Sequence, residues 1–126
     1  MINSRQTLLI ASLSGFLAVA LGAFGAHALK QILLENNRTD TFELAVRYHF
    51  YHTFALLVIA LLMDRFNSKW LPISALCILT GMILFSGSLY LLALANSTSF
   101  AFITPFGGVF LLAGWGFLFL STFKKG

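Results

Sequence analysis

The chain has 126 residues, of which 59% are hydrophobic and 10% are charged, and its formal net charge is +4. Soluble domains carry about 25% charged residues and short chains leave much of their surface facing water, so this composition excludes an ordinary soluble domain. The eight Lys and Arg residues lie mainly between apolar runs, without a basic stripe interleaved with aromatic residues, which favours a membrane protein and excludes nucleic-acid binding.

The first apolar run covers residues 7–29 and contains no Asp, Glu, Lys or Arg. About 20 apolar residues suffice to cross a bilayer, so this run predicts a membrane span. A cleaved signal peptide is the alternative, with Arg5 in its n-region, but its apolar core would be only about 7–15 residues long. Small residues recur at every fourth position of the run and predict a smooth stripe for close helix packing: Ser14, Ala18, Gly22 and Ala26.

The second and third apolar runs predict spans over residues 42–63 and 71–95. Asn36-Asn37 in the preceding polar segment is typical of a helix stop and turn. Asp40 and Glu43 have the spacing of a capping box, which predicts the start of the second span.

The fourth apolar run contains Thr104-Pro105. Proline suits the first position of a helix and threonine suits the N-cap, so the span is predicted over residues 105–123. Residues 100–103 would then lie at the membrane interface, and the alternative is one kinked helix that begins at Phe100. Three glycines of this span are expected to pack against a neighbouring helix: Gly107, Gly108 and Gly114.

These four spans predict an all-α integral membrane protein, a single domain over residues 1–126 folded as an antiparallel bundle of four transmembrane helices. Five Lys and Arg residues lie in the two tails and the second loop: Arg5, Arg65, Lys69, Lys124 and Lys125. The opposite side holds Lys30 and Arg38, with Arg47 inside the second span. The excess of positive charge predicts that both termini lie in the cytoplasm of a bacterial inner (plasma) membrane.

Polar side chains concentrate in the predicted outer half of the bundle. The candidate polar site consists of His27, Glu43, Arg47, Tyr48, His52, Ser86, Ser88, Tyr90 and Thr104. Ionisable groups at bilayer depth cost roughly 2.5–3.5 kcal/mol each, so they usually face inward and have a role. Glu43 and Arg47 are four residues apart and are expected to pair. Mutual hydrogen bonds that fix helix packing, a binding or transport site, and catalysis all remain open.

The histidines and the tryptophan of the spans carry two further expectations. His49 and His52 are three residues apart and are weak candidates to bind one metal ion, because a zinc site needs three or four ligands. No cofactor is predicted, and the sequence contains no nucleophile motif, so no catalytic residue is predicted. Trp115 is deep in the fourth span, and its N–H is expected to have a partner inside the bundle.

Four blocks resemble a known family: Gly22-Ala23-Phe24-Gly25-Ala26-His27-Ala28-Leu29, Tyr48-x-x-x-His52, Leu84-Phe85-Ser86-Gly87-Ser88-Leu89-Tyr90 and Thr104-Pro105-x-Gly107-Gly108. With Gly114-Trp115, they resemble the uncharacterised family of small bacterial inner-membrane proteins of the YgdD and YwdK type, from end to end. The resemblance implies a multi-pass plasma-membrane protein with four spans and implies no biochemical activity. The family pattern has an amide where this chain has His49, so the resemblance favours His27, Tyr48 and His52 as a shared polar site.

Three functions follow from these observations, in order of preference. The first is a non-enzymatic membrane protein that packs against, assembles or stabilises a partner, either a second copy or another membrane protein in the bilayer. The second is a small transporter or channel component that uses the polar outer pocket. The third is a membrane enzyme that binds a metal ion or haem through its histidines.

Overall fold

The computed structural model describes residues 1–123, and its regular structure is entirely helical within that range. The elements are α1 (Ser4–Ala26), α2 (Lys30–Glu35), α3 (Thr39–Arg65), α4 (Trp70–Ala95), a 3₁₀ helix (Thr98–Phe102) and α5 (Thr104–Ser121). Helices α1, α3 and α4 are each long and apolar enough to cross a membrane, as is α5 together with the 3₁₀ helix. The chain is therefore an all-α integral membrane protein with four candidate spans.

The helices pack in the order α1, α3, α4, α5, with the closest association between α4 and α5. Helices α3 and α4 are central, since 39% and 44% of their apolar segments are buried, against 17% in both α1 and α5. The outer faces of α1 and α5 carry large exposed apolar side chains, among them Phe16 and Leu112. Faces of this kind contact the lipid bilayer.

Helix α1 ends earlier than the sequence predicts. It stops at Ala26 rather than residue 29, because His27 leaves the helical conformation with φ −124° and ψ −82°. Its beginning is fixed by a capping box that the sequence analysis missed: Gln6 N–H donates to the Asn3 side chain at 2.9 Å, and Asn3 N–H donates to the Gln6 side chain at 3.1 Å. The mutual bonds satisfy two backbone donors that the helix leaves unpaired.

The segment between the first two spans contains the short helix α2, which the sequence does not predict, and α2 ends at the predicted helix stop and turn, Asn36-Asn37. Asn37 follows α2 with a φ of 54°, a left-handed conformation that asparagine tolerates. Helix α3 then begins at Thr39 with Arg38 at its N-cap and no side-chain cap bond. The predicted Asp40–Glu43 capping box is therefore wrong, because Asp40 is the second residue of the helix and not its N-cap.

The fourth span also differs in detail. Ile103 is the N-cap of α5, and Thr104 is its first helical residue, so the predicted threonine cap is wrong. The 3₁₀ helix that precedes it ends at Phe102, and Ile103 joins it to α5 with helical dihedral angles (φ −79°, ψ −33°). The two segments together form one candidate span, Thr98–Ser121, which differs from the kinked helix from Phe100 in that its first part is 3₁₀ rather than α-helical. The predicted cytoplasmic charges Lys124 and Lys125 lie outside the described residues.

Glycines allow α4 and α5 to approach closely. A Cβ atom on Gly107 would fall against the backbone of Phe85, and one on Gly114 would lie 2.6 Å from Cγ1 of Ile78. Gly108 has no such restriction, since its nearest neighbour would be 3.9 Å away. Small residues allow the backbones of two helices to come into contact, which is how helices associate closely in lipid.

The small-residue stripe on α1 packs against α3 along only part of its length. Ser14 and Ala18 are buried, and a Cβ atom on Gly22 would lie 3.4 Å from Cγ1 of Val46. Ala26 is exposed, so the stripe does not extend to the fourth predicted position.

Candidate functional site

His49 is the centre of a buried hydrogen-bond network that joins α1, α3 and α4. Its Nδ1 lies 2.9 Å from the hydroxyl of Tyr90, and its Nε2 lies 3.0 Å from Oγ of Ser14. Ser14 is in turn 2.6 Å from Oγ1 of Thr53, which donates to the backbone carbonyl of His49 at 2.8 Å. The network therefore begins at Tyr90 and, after passing through Ser14 and Thr53, ends at the backbone carbonyl of His49 itself.

Only one arrangement of protons satisfies all four contacts with a neutral His49. A carbonyl oxygen can only accept, so the Thr53 hydroxyl donates to it and must accept from Ser14. Because the Ser14 proton is used in that way, Nε2 of His49 donates to Ser14. Nδ1 of His49 is then bare and accepts from Tyr90, and the network has a single direction.

The second histidine, His52, faces a different helix. Its Nδ1 lies 2.7 Å from the backbone carbonyl oxygen of Tyr48, and its Nε2 accepts the indole N–H of Trp115 at 3.1 Å. The Trp115 N–H therefore has the partner inside the bundle that the sequence predicts. A carbonyl only accepts and an indole only donates, so His52 is neutral and carries its proton on Nδ1.

Tyr48 contributes its ring rather than its hydroxyl to this region. The ring stacks on Phe85, with 4.7 Å between centroids, and lies beside His52 at 5.8 Å. The tyrosine thus fills the space between α3 and α4 next to the Trp115 contact.

Serine and threonine hydroxyls link α4 to its two neighbours. Ser86 donates to the backbone carbonyl of Ala45 on α3 at 2.9 Å. Ser88 donates to the Phe85 carbonyl at 2.9 Å, so the 2.6 Å contact between Ser88 and Thr104 requires Thr104 of α5 to donate. These bonds occupy the hydroxyls in helix–helix contacts, where they stabilise the bundle.

Three predicted site residues lie outside these networks. His27 is exposed at the end of α1, and Glu43 and Arg47 are exposed on α3. The expected pairing of guanidinium with carboxylate is wrong, because the contact between the two runs from Nε of Arg47 to the backbone carbonyl oxygen of Glu43 at 3.5 Å. His27, Glu43 and Arg47 thus belong to the surface and not to the buried polar core.

The sequence analysis underrated two members of the network and missed a third. Ser14 was assigned only to packing, and His49 was set aside because the family pattern has an amide there. Thr53 was not singled out, although it is four residues from His49 and therefore on the same face of α3. That spacing is the signal that could have identified it.

The proposed joint binding of a metal ion by His49 and His52 is not supported by the geometry. The ring nitrogens of His49 bind Ser14 and Tyr90, whereas those of His52 bind Tyr48 and Trp115. Within residues 1–123, no group of three or more His, Cys, Asp and Glu side chains is placed to hold a metal ion.

The polar core is closed. Across the described part of the chain, every buried side-chain nitrogen and oxygen atom has a hydrogen-bond partner. The polar side chains contact one another at 2.6–3.0 Å instead of surrounding a cavity. An arrangement of this kind can fix the positions of helices, and it leaves no buried group directed at a ligand.

Comparison with known proteins places the chain in one family. Residues 21–108 match the family described as "Protein of unknown function (DUF423)". The chain is 42% identical over 124 residues to the UPF0382 inner membrane protein YgdD of Escherichia coli strain K12, covering 97% of this chain and 92% of that protein. No solved structure gives a significant match.

Two further relatives are similarly close. A UPF0382 membrane protein of Haemophilus influenzae is 44% identical over 121 residues, which cover 96% of each chain. A UPF0382 membrane protein of Staphylococcus aureus is 38% identical over 119 residues, which cover 93% of this chain and 94% of the relative. With four candidate spans and relatives matched over nearly their full length, the chain belongs to the DUF423 family of membrane proteins.

Proposed function

We propose that the chain is a non-enzymatic multi-pass protein of the bacterial plasma membrane that acts by packing against a partner membrane protein. The observation that carries this proposal is the closed polar core, in which each buried polar side-chain atom of residues 1–123 has a partner. Side chains that act on a substrate must be accessible to it, whereas these side chains form hydrogen bonds that hold the helices together.

The outer helices supply the surface for a partner. Phe16 of α1 is 72% exposed and Leu112 of α5 is 74% exposed. In lipid, helices associate through van der Waals packing and small residues rather than through hydrophobic burial. Gly116 of α5 lies on this surface, since a Cβ atom there would meet nothing within 4 Å.

Photo-crosslinking in native membranes tests the proposal. A photoreactive amino acid at position 16 or 112 should give a cross-linked band with a defined protein, identified by mass spectrometry as another membrane protein or a second copy. The matched control is position 56, because Leu56 is 1% exposed and should give no intermolecular product. Cross-links to lipid alone at both exposed positions would contradict the proposal.

The orientation is part of the same proposal. Arg5, Arg65 and Lys69 belong to the N-terminal tail and the second loop, and the excess of positive charge there supports an orientation with both termini in the cytoplasm. A fluorescent protein fused to the C-terminus should fold and fluoresce, while a phosphatase that is active only outside the cytoplasm should remain inactive there. The opposite pair of results would contradict this orientation.

The alternative of a transporter has a distinct test. Transport through the polar core would require its side chains to line a water-filled path, but Ser14, His49 and Thr53 are buried and bonded to each other. Purified protein in liposomes should therefore produce no pH-dependent flux above that of empty liposomes. A flux that is lost in His52→Ala would favour the transporter instead.

A further inference from the structure

A groove of about 330 Å³ lies between the end of α1 and the beginning of α3. Gly22 and Gly25 of α1 line one side, and Val46 of α3 lines the other. The floor of the groove is apolar, because Gly22 packs against Val46 and the ring of Phe42 covers Gly25. Glu43 and Arg47 stand at its rim and bring two opposite charges to it.

The depth of this rim in the membrane follows from the length of α3. Its 27 residues extend over about 40 Å, whereas the hydrocarbon core is about 30 Å thick. Asp64 and Arg65 at the other end require water, so the core extends from about residue 63 back to about residue 44. The backbone of Arg47 then lies roughly 5 Å inside the hydrocarbon, and that of Glu43 lies at its boundary.

The side chain of Arg47 points towards that boundary. Its Nε lies 3.5 Å from the backbone carbonyl oxygen of Glu43, one turn nearer the beginning of α3. The guanidinium is therefore at the level of the lipid headgroups, as expected for a long basic side chain near a helix end. A guanidinium has five N–H donors, so this single contact leaves terminal N–H groups that can bind a phosphate in the bidentate manner.

We propose that this groove binds phosphatidylethanolamine, with an acyl chain along the groove over the contact between Gly22 and Val46, the phosphate on Arg47 and the ammonium group on Glu43. Residues four apart on a helix are neighbours, with about 5–6 Å between their Cβ atoms. Phosphate and ammonium are separated by two carbon atoms in this headgroup, so both can reach their partners on one helix face. Charge complementarity thus selects the lipid.

The same complementarity discriminates against the other common phospholipids. The two rim charges sum to zero, so an anionic phosphatidylglycerol would place uncompensated negative charge beside Glu43. Phosphatidylcholine has a cation but no N–H donor, and it cannot make the charge-assisted hydrogen bonds that a primary ammonium makes to a carboxylate. The site is distinct from the partner surface of the proposed function, which lies on the outer faces of α1 and α5.

Native mass spectrometry of the delipidated full chain tests the site. Phosphatidylethanolamine, phosphatidylcholine and phosphatidylglycerol with identical acyl chains are titrated separately, and the fraction of protein carrying one lipid is measured. Phosphatidylethanolamine should bind about tenfold more tightly than either of the others, which corresponds to one charged hydrogen bond. Equal affinity for the three lipids would overturn the proposal.

Variants assign the headgroup contacts. Glu43→Gln should abolish the preference over phosphatidylcholine. Arg47→Gln should weaken binding of all three lipids about tenfold. Gly22→Leu should also weaken binding of all three lipids about tenfold, because the larger side chain fills the groove. The matched controls Glu35→Gln and Lys30→Gln, which change exposed charges on α2, should bind like the natural chain. A preference over phosphatidylcholine that persists in Glu43→Gln would overturn the proposal.

A second measurement uses the unaltered chain and does not depend on the folding of variants. Phosphatidylethanolamine with a photoreactive group in its acyl chain should label peptides that contain residues 22–26 and 46. Labelling confined to other helices, or dimer cross-links through residue 22 in place of lipid labelling, would overturn the proposal.

Discussion

Trp115 of α5 donates its indole N–H to Nε2 of His52 on α3, with 3.1 Å between the nitrogens. Helix α5 otherwise packs mainly against α4, so this bond connects it across to α3. Because the donor and the acceptor are fixed by chemistry, the contact also determines which nitrogen of His52 carries the proton.

Trp115→Phe should lower the free energy of unfolding by about 0.5–1.5 kcal/mol, the range of single interhelical hydrogen bonds in membrane proteins. Phenylalanine keeps most of the ring contact with His52 and removes only the donor. Unfolding by denaturing detergent, followed by circular dichroism, measures the loss. In a double-mutant cycle with His52→Leu, the two changes should be coupled, and a coupling energy of zero would show that the bond contributes nothing.

The two buried histidines should be opposite tautomers. His52 carries its proton on Nδ1, because it faces a carbonyl on that side and the Trp115 N–H on the other. His49 carries its proton on Nε2, because the Ser14 and Thr53 protons are both used in the direction of the His49 carbonyl. Nitrogen-15 NMR of the labelled protein in detergent or nanodiscs at neutral pH distinguishes protonated from bare ring nitrogens.

One outcome of that measurement would contradict the assignment. If both histidines carried the proton on the same ring nitrogen, the donors and acceptors in one of the two networks would be arranged differently from the assignment. Assignment uses Trp115→Phe, which should perturb the ring signals of His52 and leave those of His49 in place. His27 is exposed and provides a reference for a histidine in contact with solvent.

The positions of the four spans could be predicted from the sequence because lipid imposes a local condition. A segment that crosses the hydrocarbon must be apolar over about 20 residues, and this is readable residue by residue. The capping of α1 by Asn3 and Gln6 is equally local, since it depends on two polar residues three positions apart. The short helix α2 was missed because six residues give too little periodicity to be recognised.

The composition of the polar core could not be predicted in the same way, because it depends on how each helix is rotated about its axis. Ser14 meets His49 only because α1 turns its small residues towards α3. Glu43 and Arg47 share a helix with His49 and His52, but the rotation of α3 places them on the surface. These rotations are fixed by packing between residues that are far apart in the chain, and a single sequence does not show which residues pack together.

His49→Leu should be more damaging than His49→Gln. Leucine leaves the hydroxyl proton of Tyr90 without its acceptor, at a cost of about 1–3 kcal/mol, while Ser14 loses the His49 N–H but keeps its bond to Thr53. Glutamine has an N–H₂ donor and a carbonyl acceptor, so it can retain a bond to one or both hydroxyls and should lose less than half as much. Unfolding in denaturing detergent provides the comparison, and equal losses in the two variants would show that the side-chain bonds of His49 do not stabilise the bundle.

Gly107→Ala tests a close contact between α4 and α5. A Cβ atom at this position would fall against the backbone of Phe85, and backbone cannot move aside as a flexible side chain can. The helices must separate locally, at a cost of about 1–3 kcal/mol for overpacking.

The separation would also disturb the Ser88–Thr104 contact, in which the donated proton crosses from α5 to α4 over 2.6 Å. Gly116→Ala is the matched control on the same helix, since a Cβ atom there meets nothing within 4 Å. It should leave the free energy of unfolding unchanged or raise it by up to about 1 kcal/mol, because alanine is the better helix former. If both alanine variants unfolded at the same detergent concentration, the close approach of α4 and α5 at Gly107 would not be a determinant of stability.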